Sequence, residues 1–212
     1  MWKPGLVLVL GAVLTGCTQV VDTARPQAEP AVAPITAGQV RDLLSPSVGD
    51  VDGNLFATVE PQQCSGIARE VDPPFIFDLD PAATDGGHWS DAAGHGVVIE
   101  EMAGVYPADF DARDALDRTR RTLESCRETP LRVTTMRDHT YVFRLGPPVE
   151  SGSPDIVLWS LTATDWACDS AYVAAHNAAV GISTCGPVNG YDVLALASDA
   201  LDRIEALANL TA

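Results

Sequence analysis

The stretch from Asp165 to Gly186 constrains the fold more than any other part of the chain. It reads as two strands joined by a two-residue turn at His176-Asn177, since asparagine tolerates the left-handed backbone that such a turn demands. The register that follows pairs Ala175 with Ala178 and, further out, Cys168 with Cys185. Hydrogen-bonded and non-hydrogen-bonded pairs alternate outward from the turn. The two cysteines fall on a non-hydrogen-bonded pair, where opposing Cα atoms approach within disulfide reach.

The chain has five cysteines. The first, Cys17, belongs to the N-terminus. Met1-Trp2-Lys3 is a short positive segment, and Gly5 to Leu14 is an apolar run too short to span a bilayer as a helix. Leu14-Thr15-Gly16-Cys17 then resembles the lipobox of bacterial lipoproteins, in which small residues precede a cysteine that takes a lipid and becomes the new N-terminus. Residues 1–16 are therefore expected to be a signal peptide, and Cys17 the palmitate-type lipid anchor to the cell membrane. An ordinary signal peptide with an incidental cysteine is the alternative. Residues 17–35, rich in Ala, Pro and Val without period, read as a flexible tether, and 36–212 as one extracytoplasmic domain.

Four cysteines remain, and an exported chain meets the oxidising conditions in which disulfides form. The hairpin selects Cys168–Cys185, which leaves Cys64–Cys126. No Cys-x-x-Cys pair is present, so disulfides are expected here rather than zinc, and no cofactor is implied. Without its only lysine, Lys3, the chain carries 12 arginines against 29 acidic residues. Such a charge opposes nucleic acid as a partner.

Thr36 and Gln39 form a capping box before a short helix. Residues 80–96, rich in Asp, Ala and Gly, look like a mobile loop, and 96–106 a strand irregular at Ala103-Gly104. Ala112, Leu116, Thr119, Leu123 and Cys126 form one helical face, and Val193 to Leu207 a second apolar stripe. Strands are expected at 131–136, 140–145 and 155–164, the last apolar on both sides and hence central. The sum is an α+β domain: an antiparallel meander, two main helices packed on one face, and two disulfides.

Several segments together resemble the PknH-like extracellular domain family of actinobacteria. They are Leu43-Leu44-Ser45-Pro46, Pro61-Gln62-Gln63-Cys64-Ser65-Gly66, the helix ending in Cys126, Trp166-x-Cys168, Ala174-Ala175-His176-Asn177 and Cys185-Gly186-Pro187. That family includes the outer sensor domain of a receptor serine/threonine kinase and free-standing lipoproteins. The resemblance implies two disulfides joined first-to-second and third-to-fourth, a mixed sheet with helices, and a cleft for a ligand. This chain departs from it in having Thr122-Leu123-Glu124-Ser125 where a tryptophan commonly stands, and it has no kinase motif.

Candidate chemistry is sparse. His88 and His95 lack helical ligand spacing and read as parts of a polar loop; His139 and His176 sit at turns. Glu100 and Glu101 adjoin on a strand and so point to opposite faces. Arg118, Arg120 and Arg121 balance Asp111, Asp114, Asp117 and Glu124 on a solvated helix face. Tyr141, Phe143, Trp159 and Trp166 are the candidates to line a cleft for an apolar or glycan-like ligand. The expectation is a non-catalytic lipoprotein that binds a ligand or an envelope protein. An envelope hydrolase or transferase, or a purely structural envelope protein, are the alternatives.

Overall fold

The computed structural model describes residues 34–49, 53–90, 96–188 and 190–210. Eight strands form one sheet: β1 (Phe56–Glu60), β2 (Ala83–Ser90), β3 (Val98–Val105), β4 (Leu131–Thr135), β5 (Thr140–Leu145), β6 (Ile156–Thr162), β7 (Ala167–Ala175) and β8 (Ala178–Gly186). The helices are α1 (Pro74–Phe77), α2 (Ala112–Cys126) and α3 (Val193–Leu210), with 3-10 turns at Ala37–Leu43 and Gln62–Ile67.

The β7–β8 hairpin has the expected register, from Ala175 opposite Ala178 to Cys168 opposite Cys185. The second disulfide joins Cys64 to Cys126, also as expected. The left-handed residue of the turn is His176, with φ 52°, rather than Asn177. Asn177 instead turns its amide inward. Its Oδ1 accepts from the Ile35 N–H at 2.7 Å, and its Nδ2 donates to the carbonyls of Ile35 and Tyr106, each at 2.8 Å. One buried side chain thus ties the start of the domain and the end of β3 to the hairpin.

The strand order is β1-β4-β5-β6-β7-β8-β3-β2, and every pairing is antiparallel. The expected meander holds for β4 to β8. β3 returns to the open edge of β8, while β1 pairs with β4 at the far edge. β5 and β6 share only two residue pairs, Arg144 with Thr162 and Leu145 with Leu161. That narrow join lets the sheet curl, so that Phe56 of β1 and Glu100 of β3 border the same cavity despite their separation in strand order.

Three expectations are corrected. The two main helices lie on opposite faces of the sheet, not on one. α3 packs with Ala171, Val173, Val180 and Ile182, whereas α2 shares a core with Tyr172, Ala174 and Ala179. The reason is that β7 and β8 are apolar on both sides, so each side needs a cover. Most of the supposed loop at 80–96 is β2, paired with β3 along its whole length; 91–95 lie outside the described residues. β3 itself is regular through Ala103-Gly104.

Asn177→Ala would leave one buried N–H and two carbonyls unpaired. Its unfolding free energy should fall by about 2–4 kcal/mol in a denaturant titration, with both disulfides intact by mass spectrometry.

Candidate functional site

Alternation along β3 sends its two glutamates to opposite faces. On the α3 side, Glu101 Oε2 accepts from the Ser45 N–H at 2.6 Å and Glu101 Oε1 lies 3.4 Å from Arg203 Nη2. Arg203 Nε donates to the Leu43 carbonyl at 2.8 Å. Burial raises the pKa of Glu101, against the pull of Ser45 and Arg203. This cluster joins the first 3-10 turn to β3 and α3, and its role is structural.

Glu100 faces the α2 side. There a cavity of about 60 Å³ lies over β3, β6, β7 and β8, walled by residues 66–70 and Phe75. A second cavity of about 200 Å³ adjoins it and shares Phe56, Glu70, Glu100 and Cys185 with it. Tyr141 and Trp166 form the aromatic wall of the second, their rings stacked with centroids 6.0 Å apart. The strand ends that meet here lie opposite the His176-Asn177 turn.

The polar groups at this junction are few. Glu70 accepts from the Phe56 N–H at 2.8 Å through one oxygen and from the Ser183 hydroxyl at 2.7 Å through the other. His88, opposite Glu100 on β2, brings Nδ1 to 3.7 Å from Glu100 Oε2, beyond hydrogen-bond length. Among the described residues, two buried side-chain oxygens have no hydrogen-bond partner: Glu100 Oε2 and the Tyr172 hydroxyl. Both residues line the first cavity.

These surroundings disfavour charge. Burial pushes the pKa of Glu100 up to about 9, and the nearby carboxylates of Glu70 and Glu101 add to the shift. Burial raises Glu70 too, although Phe56 and Ser183 work against it. Burial likewise drives the Tyr172 phenol upward. Glu100 is therefore a neutral carboxylic acid at pH 7.

The four aromatic candidates divide. Tyr141 and Trp166 meet in the second cavity, and Trp159 lines the first, its indole N–H donating to the Ile67 carbonyl at 2.9 Å. Phe143 is instead a core residue, edge-on to Phe56 and fully buried. The Cys168–Cys185 bridge lies in the cavity lining, while Cys64–Cys126 pins the second 3-10 turn to the end of α2. Cys17 lies outside the described residues.

His88 is not a polar loop residue but a buried group on an edge strand, only 8% exposed. Glu70, Glu100, Ser183 and Tyr172 were not among the expected site residues. One signal was available for Glu100, a carboxylate in the middle of an apolar strand. Glu70 sits in the irregular segment before α1, with no local pattern to mark it. Among the described residues, no three His, Cys, Asp or Glu side chains group to hold a metal ion.

The site thus lies in a curled antiparallel sheet stapled by two disulfides, with a cleft on one face. The family model for the PknH-like extracellular domain matches residues 25–203, and the chain belongs to that family. The crystal structure of the extracellular domain of PknH from Mycobacterium tuberculosis superposes with a TM-score of 0.66. It is 17% identical, and the alignment covers 82% of this chain and 99% of that one. No curated protein matches in sequence. Membership places the domain on the extracytoplasmic side. Among the described residues, no helix is long and apolar enough to cross a membrane.

A carboxyl whose pKa is raised by folding stabilises the native state in full only below its unfolded pKa, near 4.5, and that stability is lost as pH rises toward 9. Thermal unfolding should therefore show stability falling from pH 5 to 9, with Glu100 accounting for on the order of 3 kcal/mol at pH 7. Glu100→Gln should raise the melting temperature at pH 8 and flatten that slope.

Proposed function

We propose that the chain is a lipid-anchored envelope lipoprotein whose PknH-like domain binds a ligand without turning it over. The observation that carries this reading is the pair of joined cavities. They combine an aromatic wall, Tyr141 and Trp166, with an apolar chamber and a small set of buried polar groups. That is the composition of a binding site: apolar surface for affinity and a few fixed polar atoms for orientation. The absence of turnover rests on the disposition of reactive groups. All four cysteines of the domain are tied up as disulfides, which leaves no thiol nucleophile among them.

The anchor rests on Leu14-Thr15-Gly16-Cys17, with the tether that follows holding the domain near the cell membrane. A second reading, an envelope hydrolase, draws on one feature: Glu70 and Glu100 are two carboxyls with raised pKa values at one cavity, the equipment of acid–base chemistry.

Native mass spectrometry of the disulfide-intact domain exposed to envelope lipid and glycan extracts should retain a bound species. Tyr141→Ala and Trp166→Ala should each weaken it about tenfold. Turnover of the bound species, abolished by Glu100→Gln, would establish the hydrolase instead. In the native host, the full chain should partition into detergent with an acyl mass on Cys17, and Cys17→Ala should move it to the aqueous phase.

A further inference from the structure

We infer that the ligand of this cleft carries an organic ammonium group, held at the junction of the two cavities between Glu70 and Glu100, with its apolar body against Tyr141 and Trp166. This rests on the ligand-binding reading of the same cleft and names the chemistry of what enters it.

The first ground is the pair of unpartnered oxygens. Buried polar atoms in folded proteins are almost always hydrogen-bonded, so each exception needs a reason. Glu100 Oε2 and the Tyr172 hydroxyl are the exceptions among the described residues, and both belong to residues lining the first cavity. Glu100 is 6% exposed. Protonated, Glu100 could donate as well as accept. Once it gives up its proton to a bound cation its oxygens only accept, and the Tyr172 phenol can accept too, so a ligand group rich in N–H donors satisfies both orphaned oxygens together.

The second ground is the charge lining the site. Among the described residues, the second cavity is bordered by Glu70 and Glu100 and by no basic side chain. The first holds Arg69, whose guanidinium is spent on backbone: Nε donates to the Val71 carbonyl and Nη2 to that of Asp72, each at 2.6 Å. His88 stands behind Glu100 at 3.7 Å, and Glu101 points to the other face. An anionic ligand at the junction would meet two carboxyls, with Arg69 turned to the backbone as the one cation in the lining among the described residues; an ammonium meets two acceptors. The third ground is the stacked Tyr141–Trp166 pair beside them, whose ring faces favour a nearby cation.

Proton balance follows. Glu100 enters the complex as a carboxylic acid and leaves as a carboxylate paired with the ammonium, and its proton goes to the solvent. Its burial and its carboxylate neighbours keep that proton on in the free protein at neutral pH. Affinity therefore rises with pH until Glu100 ionises unaided or the ligand amine loses its own proton.

The test is isothermal titration calorimetry of the disulfide-intact domain with hexylammonium, N-acetyl-lysine amide, hexanol and hexanoate as probes. An ammonium probe should bind at least tenfold more tightly than hexanol, with hexanoate weakest. Titration at pH 7 in two buffers of different ionisation heat should show close to one proton released. Glu100→Gln should abolish both the preference and the proton release, while Glu150→Gln, an exposed control, should change neither. Preference for the lysine amide over hexylammonium would identify a protein lysine as the source of the group, and the reverse a free amine. Equal binding of hexanol and hexylammonium, or a preference that survives in Glu100→Gln, would overturn the inference and leave the cleft a binding site for neutral ligands. No ammonium binding in a domain that does retain a species from envelope extracts would overturn it too. Failure with both probes and extracts would remove the ligand-binding reading itself.

Discussion

The structure depends on a hairpin that is buried on both sides. Nearly every residue of β7 and β8 is out of solvent, and small side chains recur along them: Ala171, Ala174, Ala175, Ala178 and Ala179. Two packed strands of this kind cannot stand at a surface, because each apolar face left open forfeits roughly 25 cal/mol per Å². One face is closed by α3 and the first 3-10 turn, the other by α2, α1 and the curled-over β1. The chain before the hairpin and the chain after it are both arranged to provide those covers.

What could be read in advance tracks how local the determining interaction is. The β7–β8 register needed only a turn and two cysteines, both within one short segment. The α2 and α3 stripes needed only helical periodicity. The sides on which the helices pack required the long connections between β3, α2 and β4, and no local pattern encodes those. β2 escaped notice for a different reason. Its Gly86 and Gly87 look like loop residues, yet a Cβ at Gly86 would sit 2.7 Å from the Glu101 carbonyl oxygen, and one at Gly87 2.9 Å from that of Gly49. The glycines belong to a strand that neighbouring backbone approaches closely.

The cleft shows the same division. Its aromatic wall was partly legible, since Tyr141 and Trp166 stand near strand ends where a sheet leaves openings. Its polar centre was not. Glu70, Glu100, His88 and Ser183 come from four segments, and only the curl permitted by the short β5–β6 join brings Glu70, fixed to the β1 backbone through Phe56, over the β3–β8 pair. The opposite fates of Glu100 and Glu101 follow from one residue of offset on a strand: one finds an arginine and a backbone amide, the other a cavity.

The Asn177 clamp has a mechanical corollary. Ile35 is gripped at the turn of the hairpin, while the cleft opens at the other end of the same strands, roughly 25 Å away at the usual rise per residue. Under the lipid-anchored reading proposed above, a pull applied at Ile35 would load the most deeply packed pair of strands before the Tyr141–Trp166 end of the cleft.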